Sequence, residues 1–191
     1  MPVKVWRGKG VLYMFFWKKK SAKEKEKIIE EEKKAVIENK KTFEDYFTEL
    51  QADMVDICLE YVEDKAEKIY IMCFCEDGEY EGNYFFMVNG KVVDDNDIND
   101  VLGPGNEIDT SGDLQGQVLN VFIEDILEME RVCKKFKRPM PTLTKMVYDA
   151  TKNSLQADYK YGIILGNQTS IDVMDIFEEW FEEEKKKHNK N

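Results

Sequence analysis

The densest cluster of groups able to do chemistry is the run Asp94-Asp95-Asn96-Asp97-Ile98-Asn99-Asp100, whose spaced oxygens resemble the start of a calcium-binding loop. With Asp95 as first ligand, Asp97 and Asn99 fall at the third and fifth positions. The sixth position, where a sharp turn needs Gly, is Asp100, and the twelfth, where a bidentate Glu is needed, is Asn106. The run therefore reads as an acidic surface loop, and no metal or other cofactor is expected. The one histidine, His188, lies in the terminal KKKHNKN, so a histidine-based triad or metal cluster has no ordered member. Cys73-x-Cys75 is too closely spaced for a zinc half-site, and Cys58, Cys73, Cys75 and Cys133 sit inside apolar runs, as reduced core cysteines of a cytoplasmic protein do. Phosphate-binding glycine loops and the G-x-S-x-G nucleophile motif are absent. A carboxylate pair of the glycosidase kind is compatible with composition, but among 39 acidic residues any spacing arises by chance. The residues point to binding rather than catalysis.

Elements that must position these groups follow from hydrophobic period. Thr42 to Asp64 predicts a helix with Thr42 as N-cap, Phe43, Tyr46, Phe47, Leu50, Met54, Ile57, Cys58 and Tyr61 on one face, and an acidic ridge opposite. Lys68 to Cys75 is apolar on both alternating faces and predicts a central strand. After Glu76-Asp77-Gly78-Glu79, a second strand is expected over Asn83 to Val88, joined through Asn89-Gly90 to Lys91-Val92-Val93, since Asn-Gly between apolar strands is a strong hairpin signal. Leu102 to Gly116 reads as a loop, and Gln117 to Lys137 as a helix whose terminal basic residues complement the helix dipole. Leu143 to Tyr161 alternates with period two about Ala150-Thr151-Lys152-Asn153, a second hairpin. Ser170 is expected to cap a last amphipathic helix running to Lys185, followed by a solvated tail over residues 186–191.

The N-terminal region stands apart. Val11–Trp17 is strongly apolar, but seven residues of helix span about 10 Å against a hydrocarbon core of about 30 Å, so no membrane span is expected. Residues 1–13 are expected to be untranslated in the cell: Arg7-Gly8-Lys9-Gly10 can be encoded by a purine-rich run placed like a ribosome-binding site before Met14. Ser21 to Lys41 predicts an exposed helical lead-in of Lys, Glu and Ala. The domain division is then a basic lead-in over residues 1–41, one α+β domain over 42–185, and the tail. The fold class is an antiparallel sheet of about five strands with three main helices packed mainly on one face.

Charge is divided along the same boundaries. Net charge is +7 over residues 1–41, −19 over 42–181 and +1 over 182–191, which together make −11. A body this acidic repels nucleic acid and steers basic proteins toward itself.

The run RPMPTLTKMVYDATKNSLQADYKY, followed by a final acidic helix carrying EEWFEE, resembles the YezG-like immunity-protein family of bacteria. The resemblance covers roughly residues 42 to 184 and includes the order helix, hairpin, helix, hairpin, helix. It implies a small cytoplasmic antitoxin that binds and neutralises a secreted toxin, a nuclease. The basic lead-in and the glycine-rich loop have no counterpart in that pattern. The expected function is immunity, with a cognate basic toxin domain as partner. The same features fit a non-enzymatic adaptor or chaperone for a secreted substrate. Contact is expected where carboxylates are dense and structurally unneeded, at Asp94, Asp95, Asp97 and Asp100 and at Asp172, Asp175, Glu178 and Glu179 of the last helix.

Overall fold

The stretch KIYIMCFCE becomes the middle strand, β1 (Lys68–Glu76), because its alternate side chains must be covered on both faces. The computed structural model describes residues 41–166 and 172–189, together with Lys27 and Glu30. Val11–Trp17, Met14 and Ser170 lie outside the described residues. So does the Ser21–Lys41 lead-in, except at Lys27 and Glu30, which are helical, and at Lys41. The chain divides into two compact units, Met1–Thr42 and Phe43–Asn191.

The second unit is an α+β fold. Its elements are α1 (Phe43–Tyr61), β1, β2 (Glu79–Val88), β3 (Lys91–Val93), α2 (Ile98–Leu102), α3 (Gly112–Phe136), β4 (Leu143–Asp149), β5 (Ser154–Lys160) and α4 (Val173–His188). The five strands are antiparallel in the order β3-β2-β1-β4-β5.

Pleating sorts the core into two layers. Ile69, Ile71, Cys73, Tyr84, Phe86 and Met146 face α1 and α3, which contribute Phe47, Met54, Cys58, Phe122, Ile126 and Met129. Tyr70, Met72, Phe74, Phe85 and Leu143 face the other way, onto Val173 and Trp180 of α4. Two of the three long helices thus share a face, and the third covers the opposite one. The reason lies in Tyr70 and Phe85, which stack at 4.4 Å and would otherwise expose both rings. Trp180 meets them edge-on, at 5.8 Å and 5.0 Å.

Several boundaries depart from the periodic reading. β2 begins at Glu79 and runs through Gly82, because a Cβ there would lie 2.7 Å from the Phe122 ring; glycine permits a close approach of α3 and does not end the strand. α3 begins at Gly112, since Leu114 packs on the core and draws the supposed loop into the helix. Part of the Asp94–Asp100 loop is the single turn α2, tied down by fully buried Ile98. Asn99 pins the following loop, accepting from Ile108 N at 2.9 Å and donating to Ile108 O at 3.0 Å.

The last helix also differs. Its N-cap is Asp172, and its C-terminus reaches His188 through residues expected to form a tail. Lys185, Lys187 and His188 lie one turn from Glu182 and Glu184, which complements the end of the helix. Asn189 then closes the sheet edge: Val92 N donates to Asn189 Oδ1 at 2.7 Å, and Asn189 Nδ2 donates to Val92 O at 3.1 Å. One side chain thereby occupies a donor and an acceptor that an edge strand would leave open.

Candidate partner-binding cleft

The shortness of β3 creates the site. β3 pairs with β2 only over Phe86–Val88, so among the described residues the outer edge of β2 at Asn83 and Tyr84 has no neighbouring strand. Around it is a cleft of about 420 Å³. One wall is the flank of α4, where Met174, Phe177, Glu178, Phe181 and Glu182 recur at helical spacing. Asp94, Asp95 and Asn96 form the end after β3, and Leu119 reaches in from α3. Among the described residues, no basic side chain lines the cleft.

Of the eight carboxylates expected to bind a partner, Asp94, Asp95 and Glu178 are brought together here. Asp97 and Asp100 are exposed, with Asp100 in the short α2 turn, and do not line the cleft. Asp172 and Asp175 correct the premise that the acids of the last helix are structurally unneeded. They form a capping box: Asp175 Oδ2 accepts from Asp172 N at 2.9 Å, and Asp172 Oδ1 accepts from Met174 N at 3.4 Å. Glu179 lies elsewhere on α4, close enough to Lys145 to act on its charge, and does not line the cleft. Glu182, Leu119 and Met174 were missed. The spacing of Met174, Glu178 and Glu182 by four was visible in the sequence, but their alignment with the Asp94 loop was not.

Electrostatically the cleft is acidic, and most of its carboxylates have no cationic partner among the described residues. Asp94 Oδ1 accepts from Asn96 N and Asp97 N, both at 2.9 Å, and so shapes the loop as well as charging it. Burial raises the Asp95 carboxyl above its ordinary range; the neighbouring Tyr84 hydroxyl opposes that shift and Asp94 adds to it. The Tyr84 hydroxyl is itself buried with no hydrogen bond of good geometry, and burial followed by Asp95 raises its pKa. Among the described residues, no ion pair reaches Asp94, Asp95 or Glu178, while Glu182 has Lys185 at 3.8 Å. Among the described residues, Leu119 and Met174 are two of the few large apolar side chains left exposed. A cavity with carboxylates around an apolar lining suits a Lys or Arg side chain, whose stem packs on the methionine and leucine while its head meets the acids.

Other reactive groups lie outside the cleft. Cys58, Cys73 and Cys133 are buried, Cys75 is half-buried, and none is in a disulfide. Burial raises all four thiols, that of Cys73 to about 12, which suits packing and not nucleophilic attack. Among the described residues, no three His, Cys, Asp or Glu side chains are grouped to hold a metal ion, and no helix is long and apolar enough to cross a membrane.

No family model matches the chain, and no curated protein matches it significantly. Fold and site therefore define a class only: an α+β domain with an acidic, apolar-lined cleft at an open stretch of sheet edge.

Proposed function

We propose that this chain is an immunity protein that binds a basic toxin domain, a nuclease, through the cleft between α4 and the Asp94–Asn96 loop. The observation that carries the reading is the union of Asp94, Asp95 and Glu178 around exposed Leu119 and Met174, with no basic residue in the lining among the described residues. A body of net charge −19 over residues 42–181 would steer a basic partner before contact. A protein that handles nucleic acid presents cations to phosphates, and the cleft's carboxylates would occupy those cations in their place. The resemblance of residues 138–161 and 178–183 to YezG-like immunity proteins supplies the partner class. Action is stoichiometric, by covering the toxin, in the cytoplasm where the toxin would otherwise act.

The test is co-expression with the basic protein encoded by a neighbouring gene, read as survival and as association rate. Glu178→Lys with Glu182→Lys reverses two exposed cleft charges; Glu179→Lys with Glu183→Lys makes the same net change on the same helix outside the cleft. The cleft pair should slow association about tenfold at low salt, flatten its salt dependence and abolish protection, with little loss of thermal stability. The outer pair should act weakly. Full protection by the cleft variant would overturn the proposal.

A further inference from the structure

We propose that the outer edge of β5 pairs with β5 of a second copy, forming a two-fold dimer in which the sheet runs through both. The inference does not depend on the partner proposed above, because it concerns the opposite end of the sheet. The far edge strand β3 is closed by Asn189, and the overhang of β2 faces the acidic cleft. β5 is the remaining edge. It is seven residues long and without proline, and among the described residues no other strand meets its outer row of backbone N–H and C=O groups. Such an edge is a template for strand addition.

The side chains say what would add. Five large apolar side chains are exposed among the described residues; Leu119 and Met174 line the cleft, and the other three, Tyr159, Tyr161 (56 %) and Ile163 (82 %), cluster at the end of β5 and its continuation. On the opposite pleat, Asp158 and Lys160 are exposed, and neither makes an ion pair among the described residues. Lys145, directly across from Asp158 on β4, is turned over the Trp180 ring, 5.0 Å from its centre. An antiparallel two-fold axis through Tyr159 sets Asp158 against Lys160 of the second copy, and does so twice. The same register sets Tyr159 against Tyr159 and small Ala157 against Tyr161. Edge charges of one sign would repel such a copy, whereas opposite signs two residues apart are self-complementary.

Sedimentation equilibrium from micromolar to sub-millimolar concentration tests this, in salt sufficient to screen a net charge of −11 per chain. A monomer–dimer equilibrium is expected. Asp158→Lys alone and Lys160→Asp alone each turn both cross-strand attractions into repulsions, and each should raise Kd about tenfold. The double swap Asp158→Lys, Lys160→Asp restores complementarity and should restore the dimer. Mixing the two single variants should give a heterodimer tighter than either homodimer. Melting temperatures close to the unmodified chain would show that every variant is folded. A monomer at all concentrations, or a dimer indifferent to the single swaps, would overturn the proposal.

Discussion

Asp125 shows how one residue can run against the pattern that places it. It occupies the core stripe of α3 between Phe122 and Met129, is 6 % exposed, and leaves Oδ2 without a hydrogen bond. Burial pushes its carboxyl up to about 7, with Asp53 and Glu124 adding to the shift. Between the ordinary value of 3.8 and about 7 the folded chain holds more protons than the unfolded chain, so this residue makes stability fall as pH rises through that window. The loss is complete above it and amounts to at most about 4 kcal/mol. Asp125→Asn should therefore raise the melting temperature at pH 8 far more than at pH 4; equal shifts at both would contradict the assignment. The apolar residues around Asp125 were legible as a helical stripe. Its own burial was not, because period describes where a face points and not how deeply a neighbouring helix covers it.

At the scale of the element, α4 divides its carboxylates between structure and surface. Asp172 and Asp175 close the orphan amides of the first turn, whereas Glu178 and Glu182 face the cleft. Asp172→Ala should cost about 1 kcal/mol of stability, read by denaturant unfolding, and leave association with a basic partner essentially unchanged. Slower association from that variant would return Asp172 to the binding surface. The turn residues of the hairpins were legible: Asp77-Gly78 and Asn89-Gly90 take the positive φ values that two-residue turns demand, and Asn153 does so between β4 and β5. The turn of that hairpin is held by Asp149, which accepts from Thr151 and Lys152; these contacts, the Lys152 hydrogen bond foremost, pull its carboxyl down to about 2. The second strand was expected only from Asn83 and the following long helix only from Gln117, yet Gly82 lies within β2 and Gly112 opens α3.

For the whole molecule, the acid balance becomes a binding surface only where fold concentrates it. Burial raises the pKa of Asp95 in the cleft. A cation seated beside it would lower that pKa, so binding near it should release a proton, and affinity should fall as pH drops through it. The loss should begin at a higher pH than for a contact made by ordinary carboxylates. Asp95→Asn should remove that early loss while keeping the residue's size. Calorimetry of the complex in buffers of different ionisation enthalpy measures the released proton, and release unchanged by Asp95→Asn at every pH from neutrality down through the carboxylate range would exclude Asp95 from the contact.

The sequence by itself determined the class of fold, the central strand and the turn chemistry, because each rests on local period or on backbone angles few residues tolerate. It also determined that the body is acidic. Only the tertiary structure decided that α4 covers the sheet face opposite α1 and α3, since both faces of β1 and β2 are apolar and either could take any helix. The site was decided in the same way: Asp94 and Glu178 lie far apart in the chain and meet only because β3 is three residues long and leaves the edge of β2 open between them. A strand's end is set by what packs beside it, and periodicity carries no record of that neighbour.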